Sequence, residues 1–103
     1  MKIPKRLKIL GHDVKVLYPY SFKEREDIWG QWDQAGMVIR LAGVDNGGQK
    51  IKTCAVVVTL LEEIIHAIDD LQGHKIFHND EVHKALPGLT NGMYQVLKDN
   101  GYL

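Results

Sequence analysis

Residues 62 to 66 read Glu-Glu-Ile-Ile-His. On a helix, Glu62 and His66 are four positions apart, so they stack one above the other on a single face and can close on one metal ion. Zinc takes a glutamate oxygen and a histidine nitrogen at nearly the same distance, about 2.0 to 2.2 Å. Glu63 then sits beside the first donor, where a general base would be needed to take a proton from metal-activated water. The run differs at one position from the helical zinc motif His-Glu-x-x-His, with a carboxylate in place of the first histidine. Exchanging a neutral imidazole for an anion should make the bound water a poorer nucleophile. A third donor must come from outside the pentapeptide, and the loop that follows offers His74, His78, Asp80, Glu81 and His83. The competing reading is a solvated helix face, since Glu62, Glu63, His66, Asp69 and Asp70 all lie opposite an apolar stripe.

That stripe defines the element that must carry the site. From about residue 50 to 72, Val57, Leu60, Leu61, Ile64, Ile65, Ile68 and Leu71 recur with helical period, and Gly73 is a natural stop. A last helix is expected from about residue 86 to 99, because Pro87 is tolerated only in a first turn and Asn100-Gly101 ends the run. Upstream, RLKIL and DVKVLY alternate around Gly11-His12-Asp13, with Leu7, Ile9, Val14 and Val16 expected to face inward. IWGQW and MVIRLA flank the turn-like DQAG and predict a second hairpin. Ser21 to Glu24 matches a capping box, predicting a short helical turn over about 22 to 27. Trp29 and Trp32 are expected to pack into the core. Strands first and helices after predict an α+β fold: a small N-terminal antiparallel or mixed sheet of two hairpins, packed against the motif-bearing helix and the C-terminal helix.

Composition narrows the function. The 103 residues suit a single domain, and 45% apolar with 25% charged residues is ordinary for a soluble globular chain. No apolar run is long enough to span a bilayer, and MKIPKRLKIL lacks a signal-like apolar region, which predicts a protein without membrane association. Cys54 is the sole cysteine, consistent with a reducing, cytoplasmic setting. Net charge is zero, with a basic first half and an acidic second, so nothing draws the chain as a whole to nucleic acid.

Two separated stretches carry a resemblance. Leu60-Leu61-Glu62-Glu63-Ile64-Ile65-His66-Ala67-Ile68-Asp69 and Gly92-Met93-Tyr94-Gln95-Val96-Leu97-Lys98-Asp99-Asn100 are similar, in order, to the motif helix and final helix of small zincin-like metallopeptidases of phages and prophages, relatives of the gluzincins. The opening KIPKRLKILGHDVKV and the Trp29-Gly30 and Val38 to Leu41 region also resemble that family, so the likeness spans nearly the whole chain. It implies a zincin-like fold, zinc, and a host-cell cytoplasmic setting. Glu62 and His66 would be ligands and Glu63 the catalytic base. The family's third ligand resembles a Glu followed by an apolar residue. Glu81-Val82 fits, with His83 as substitute, whereas counting back from Gly92 places the ligand near Ala85. The resemblance further implies a peptide or a host or phage protein as partner, bound along a strand edge at Val38, Ile39, Arg40 and Leu41. Because the first histidine is missing, the expectation is a weakly active or inactive relative; the alternative is a non-catalytic interaction module using the same fold as a binding scaffold.

Overall fold

A computed structural model describes residues 1–23 and 27–103. Among these, four strands, β1 (Arg6–Ile9), β2 (His12–Tyr20), β3 (Gly30–Asp33) and β4 (Val38–Ala42), precede three helices, α1 (Thr53–Gln72), α2 (Asp80–His83) and α3 (Leu86–Asp99), with a 3-10 turn at Ile76–His78. This is the expected α+β order. The capping box at Ser21 reaches Glu24, which lies outside the described residues, and neither Phe22 nor Lys23 is helical.

β1 and β2 form a hairpin in which Ile9 pairs with His12, leaving Leu10 and Gly11 as a two-residue turn. Both have positive φ, 49° and 80°. A turn with two left-handed residues twists with its strands, which is why this type joins tight hairpins. The turn therefore falls one to two residues earlier than the Gly-His-Asp reading placed it. Ile9, Val14 and Val16 are buried as their alternation predicts, and Leu7 is half-buried. β3 and β4 form the second antiparallel hairpin, Gly30 opposite Leu41 and Asp33 opposite Val38.

The two hairpins join through a parallel pairing of β2 with β4, giving the order β1-β2-β4-β3 and a mixed sheet. Val38, Ile39, Arg40 and Leu41 are thus not an edge. Their strand is paired on both sides, and four of its five residues are buried. Strong apolar content is what an interior strand requires; the edge on the α1 side is β3.

α1 begins at Thr53 and ends at Gly73, whose φ of 89° and N–H to the Asp70 carbonyl form the expected left-handed stop. Its buried residues are Val56, Val57, Leu60, Glu63, Ala67 and Asp69, so the buried face is turned away from the predicted apolar stripe, of which only Val57 and Leu60 are buried while Leu61, Ile64, Ile65 and Leu71 are half-buried. Val56, Leu60 and Ala67 join Ile39, Leu41, Val14 and Val16 in the core. α3 packs along α1, with Val57 and Tyr94 lining one cavity between them. Because α1 is covered by both the sheet and α3, Glu63 and Asp69 are buried despite their polarity, whereas Ile68 is exposed. No helix among the described residues is long and apolar enough to cross a membrane.

Candidate metal centre

α1 and β3 approach closely, and Gly30 permits it. A Cβ at Gly30 would stand 2.5 Å from Thr59 Cγ2 and 3.1 Å from both Cγ and Oε2 of Glu63. Distances under 3 Å require something to move, so any larger residue would displace the Thr59 side chain or the strand. Between β3, α1 and the 3-10 turn lies an open cleft of about 800 Å³, whose floor holds Glu62, Glu63, His66 and His83.

Glu62, His66 and His83 each offer one donor atom, and these atoms lie within 4.8 Å of one another. The Nε2 atoms of His66 and His83 are 3.3 Å apart. Two nitrogens bound at about 2.0 to 2.1 Å to a tetrahedral ion stand roughly 3.3 to 3.4 Å from each other, so the pair already has the spacing zinc would impose. Burial, then the charge of His83, push the His66 imidazole below its ordinary range, against the pull of Glu62, Asp70 and Asp69. It is therefore neutral near pH 7, the form that binds metal. The cluster could hold a metal ion, and two imidazoles with one carboxylate is a donor set of catalytic zinc sites.

The third member corrects the expectation. Glu81 lies outside the cluster: its carboxylate is exposed and pairs with Lys84 Nζ at 3.0 Å. The cause is the phase of α2. The Asn79 side chain accepts from the N–H groups of Glu81 and Val82, fixing the helix start. Glu81 and Lys84, three apart, share the outer face, which leaves His83 turned back to His66. Ala85 is the residue preceding α3 and offers no donor. Of the other loop candidates, His74 and Asp80 are exposed and outside the cluster, and the Nε2 of His78 is taken by Asp70.

Glu63 is only 8% exposed. Desolvation and the neighbouring Glu62 charge raise its carboxyl to about 7, although a hydrogen bond from the Trp32 backbone N–H works the other way. A carboxylate so poised can hold or release a proton near neutral pH.

Asp69 and Asp70, which sequence reasoning left without a role, hold the site together. Asp69, 3% exposed, accepts the backbone N–H groups of Ile76 at 2.8 Å and Phe77 at 2.9 Å, pinning the 3-10 turn to α1. Desolvation raises its carboxyl, but those two N–H groups and the nearby His78 and His66 outweigh that and hold it below the usual range. Asp70 accepts from Trp32 Nε1 at 3.1 Å and from His78 Nε2 at 2.6 Å. Trp32 is half-buried, packed against the core as expected and anchored there through its indole N–H, whereas Trp29, 43% exposed, stands at the cleft instead of in the core. The tandem Asp69-Asp70 at the end of the motif helix was the available signal, since carboxylates there oppose the helix dipole and need another reason to be present.

No protein-family model, curated protein or solved structure matches this chain.

Proposed function

We propose that this chain is a zinc-dependent hydrolase of peptide bonds whose ligand set runs Glu-His-His. The observation that carries this reading is the 3.3 Å separation of the His66 and His83 Nε2 atoms beside the Glu62 carboxylate. Relative to the zincin-like pattern, the carboxylate and one imidazole have exchanged places. The donor set keeps one negative charge, so the loss of water activation expected from Glu62 alone is offset by His83.

Bound there, zinc would supply a Lewis acid for a carbonyl oxygen and lower the pKa of a water. The chain's own groups do the rest. Glu63, buried next to the ligands, takes the proton from the attacking water and returns it to the leaving amine, a task suited to a carboxyl that titrates near 7. Among the described residues β3 (Gly30–Asp33) has a strand neighbour on one side only, and Gly30, Gln31 and Trp32 line the cleft, so an extended peptide can add to the sheet there by the main-chain groups that Glu63 leaves open. Ile28, Trp29 and Phe77 line the same cleft and favour an apolar side chain next to the scissile bond.

The test is zinc content of untagged protein re-equilibrated with zinc, beside His66→Ala and His83→Ala, followed by incubation with a quenched-fluorescent peptide library. About one zinc per chain, lost in both variants, and cleavage abolished by Glu63→Gln are expected. Absence of zinc in the wild type, or full zinc in His83→Ala, overturns the reading. Peptide binding without zinc and without cleavage would favour the second reading, a binding module that uses the exposed Trp29 and the β3 edge.

A further inference from the structure

Away from the cleft, α3 presents an apolar stripe to water. Its inner side, Leu86, Thr90, Tyr94 and Leu97, is buried or half-buried where the helix packs on α1. Beside that side Leu89, Met93 and Val96 recur at i, i+4 and i+7 and stand 55%, 42% and 54% exposed, within about 60° of one another around the helix axis. A helix facing water ordinarily sets charge on its outer side. α3 has none before its last two residues, Lys98 and Asp99. Its other exposed polar side chains, Asn91 and Gln95, spend their N–H donors on their own helix, Asn91 on the Pro87 carbonyl and Gln95 on Asp99. Gly92 adjoins the stripe in the helix interior, where glycine is less stable than alanine. Among the described residues nothing comes within 4 Å of where its Cβ would stand, so the chain's own packing makes no use of its smallness.

The stripe is complementary to itself. In two copies of α3 laid antiparallel about a two-fold axis between Gly92 and Met93, Leu89 of each copy meets Val96 of the other, and each Met93 lies over the bare backbone at the other copy's Gly92. Charge agrees with this pairing. Asp99 stands at the negative end of its own helix, where a carboxylate is unfavourable. In the pair it comes level with Leu86 of the other copy, the start of a helix that has no acid in its first turn and no side-chain cap. Lys98, whose Nζ lies 5.7 Å from the Tyr94 ring centroid, stays on the far side from the stripe. Size sets the strength. The 14 residues of α3 span about 21 Å, and a helix pair of that length covers on the order of 400 Å² on each copy, half of a standard interface.

We propose that α3 is a self-association surface, through which two copies of this chain form a weak dimer by antiparallel pairing of Leu89, Gly92, Met93 and Val96. The inference is independent of the hydrolase reading.

The experiment is sedimentation velocity of the full chain from about 2 to about 500 µM, since a weak dimer declares itself by mass action. A single chain at the low end and two chains at the high end are expected, with half-association at roughly tens of micromolar. Met93→Glu stays a single chain throughout, and its melting temperature at low concentration equals that of the wild type. Gly92→Ala separates fold from association: the dilute chain melts higher, because alanine is the better helix former, while association weakens about 10-fold, because the added Cβ takes the space of the other copy's Met93. Direction is read by oxidative cross-linking in a Cys54→Ser background, where Leu89→Cys links to Val96→Cys in a mixture and neither links to itself. A wild type that remains a single chain at the highest concentration overturns the inference and leaves the stripe to a different protein. Undiminished association in Met93→Glu, or linking of Leu89→Cys to itself in place of Val96→Cys, overturns it as well.

Discussion

The two halves of the candidate centre are built differently. Glu62 and His66 stand one turn apart on a 20-residue helix covered by the sheet and by α3. His83 arrives on α2, four residues long, whose other members Asp80, Glu81 and Val82 are exposed and which packs mainly on the 3-10 turn before it. One half is set by the core and would exist without the other. The other is set by a few polar contacts, chiefly Asp69 and Asp70 reaching forward from α1 and Asn79 capping α2. A short segment held this way opens locally at low cost, whereas α1 opens only with the whole fold. Ion affinity should therefore be governed by the loop half and resting stability by the helix half.

The largest expected effect tests the helix half. Glu63 titrates near 7 in the folded chain against 4.5 as its ordinary value. Between those values the folded chain holds a proton that the unfolded chain has released, so stability is fully present below about pH 4.5 and is lost as pH rises through about 7. The shift corresponds to about 3 kcal/mol. In the metal-free protein, Glu63→Gln should remove this loss, raising the unfolding free energy at pH 8 by up to about 3 kcal/mol while changing it little at pH 4. Urea titrations of both proteins at the two pH values measure it. Parallel curves for wild type and variant would mean that the helix half carries no such cost and that the contrast between the halves fails at its strongest point.

A smaller effect is expected in the loop half. Asp69→Ala leaves the N–H groups of Ile76 and Phe77 without their acceptor. An orphaned donor costs about 1 to 3 kcal/mol when it stays buried, but here the turn can detach and find water, so the cost falls on the loop and not on the fold. Hydrogen exchange should show lost protection at residues 75 to 83 with α1 unchanged, and zinc affinity should drop roughly 10- to 100-fold, as when a supporting contact behind a ligand is removed. Equal deprotection of α1 and the loop would show that the two halves are one cooperative unit.

How much of this could be read from residues follows the same division. The helix boundaries were legible because Gly73 and Pro87 constrain the backbone locally, and the hairpins because alternation marks strands. The strand order was not, because joining β2 to β4 depends on packing between segments that each look alike as apolar alternation. Periodicity put Glu63 with the solvent-facing residues. It weighs a residue by its own polarity, whereas burial here is decided by β3 settling on α1 across Gly30. The contact of Trp32 with Asp70 spans 38 residues and left no trace in local pattern. Glu62 and His66 could be paired from spacing alone; His83 entered only as one of several loop candidates and as the substitute for Glu81.

Glu81→Gln is the smallest expected effect and the sharpest on that point. Both residues sit on α2, two positions apart, and only its phase decides which one meets His66. The Glu81 and Lys84 side chains are 81% and 71% exposed, and their 3.0 Å ion pair joins residues three apart. Exposed pairs of this kind contribute about 0.5 kcal/mol or less, because water screens them and holding two long side chains together costs entropy. Glu81→Gln should therefore leave zinc stoichiometry and affinity unchanged and shift unfolding by no more than about 0.5 kcal/mol. A loss of zinc in this variant, with His83→Ala retaining it, would require α2 to turn through about half a helical turn and exchange the roles of its two faces. The Asn79 cap opposes that rotation, since its side chain must meet the N–H groups at the helix start to satisfy them. Calorimetric zinc titration of the two single variants thus measures whether the Asn79 cap and the phase of α2, and not the 20-residue helix, choose the third donor.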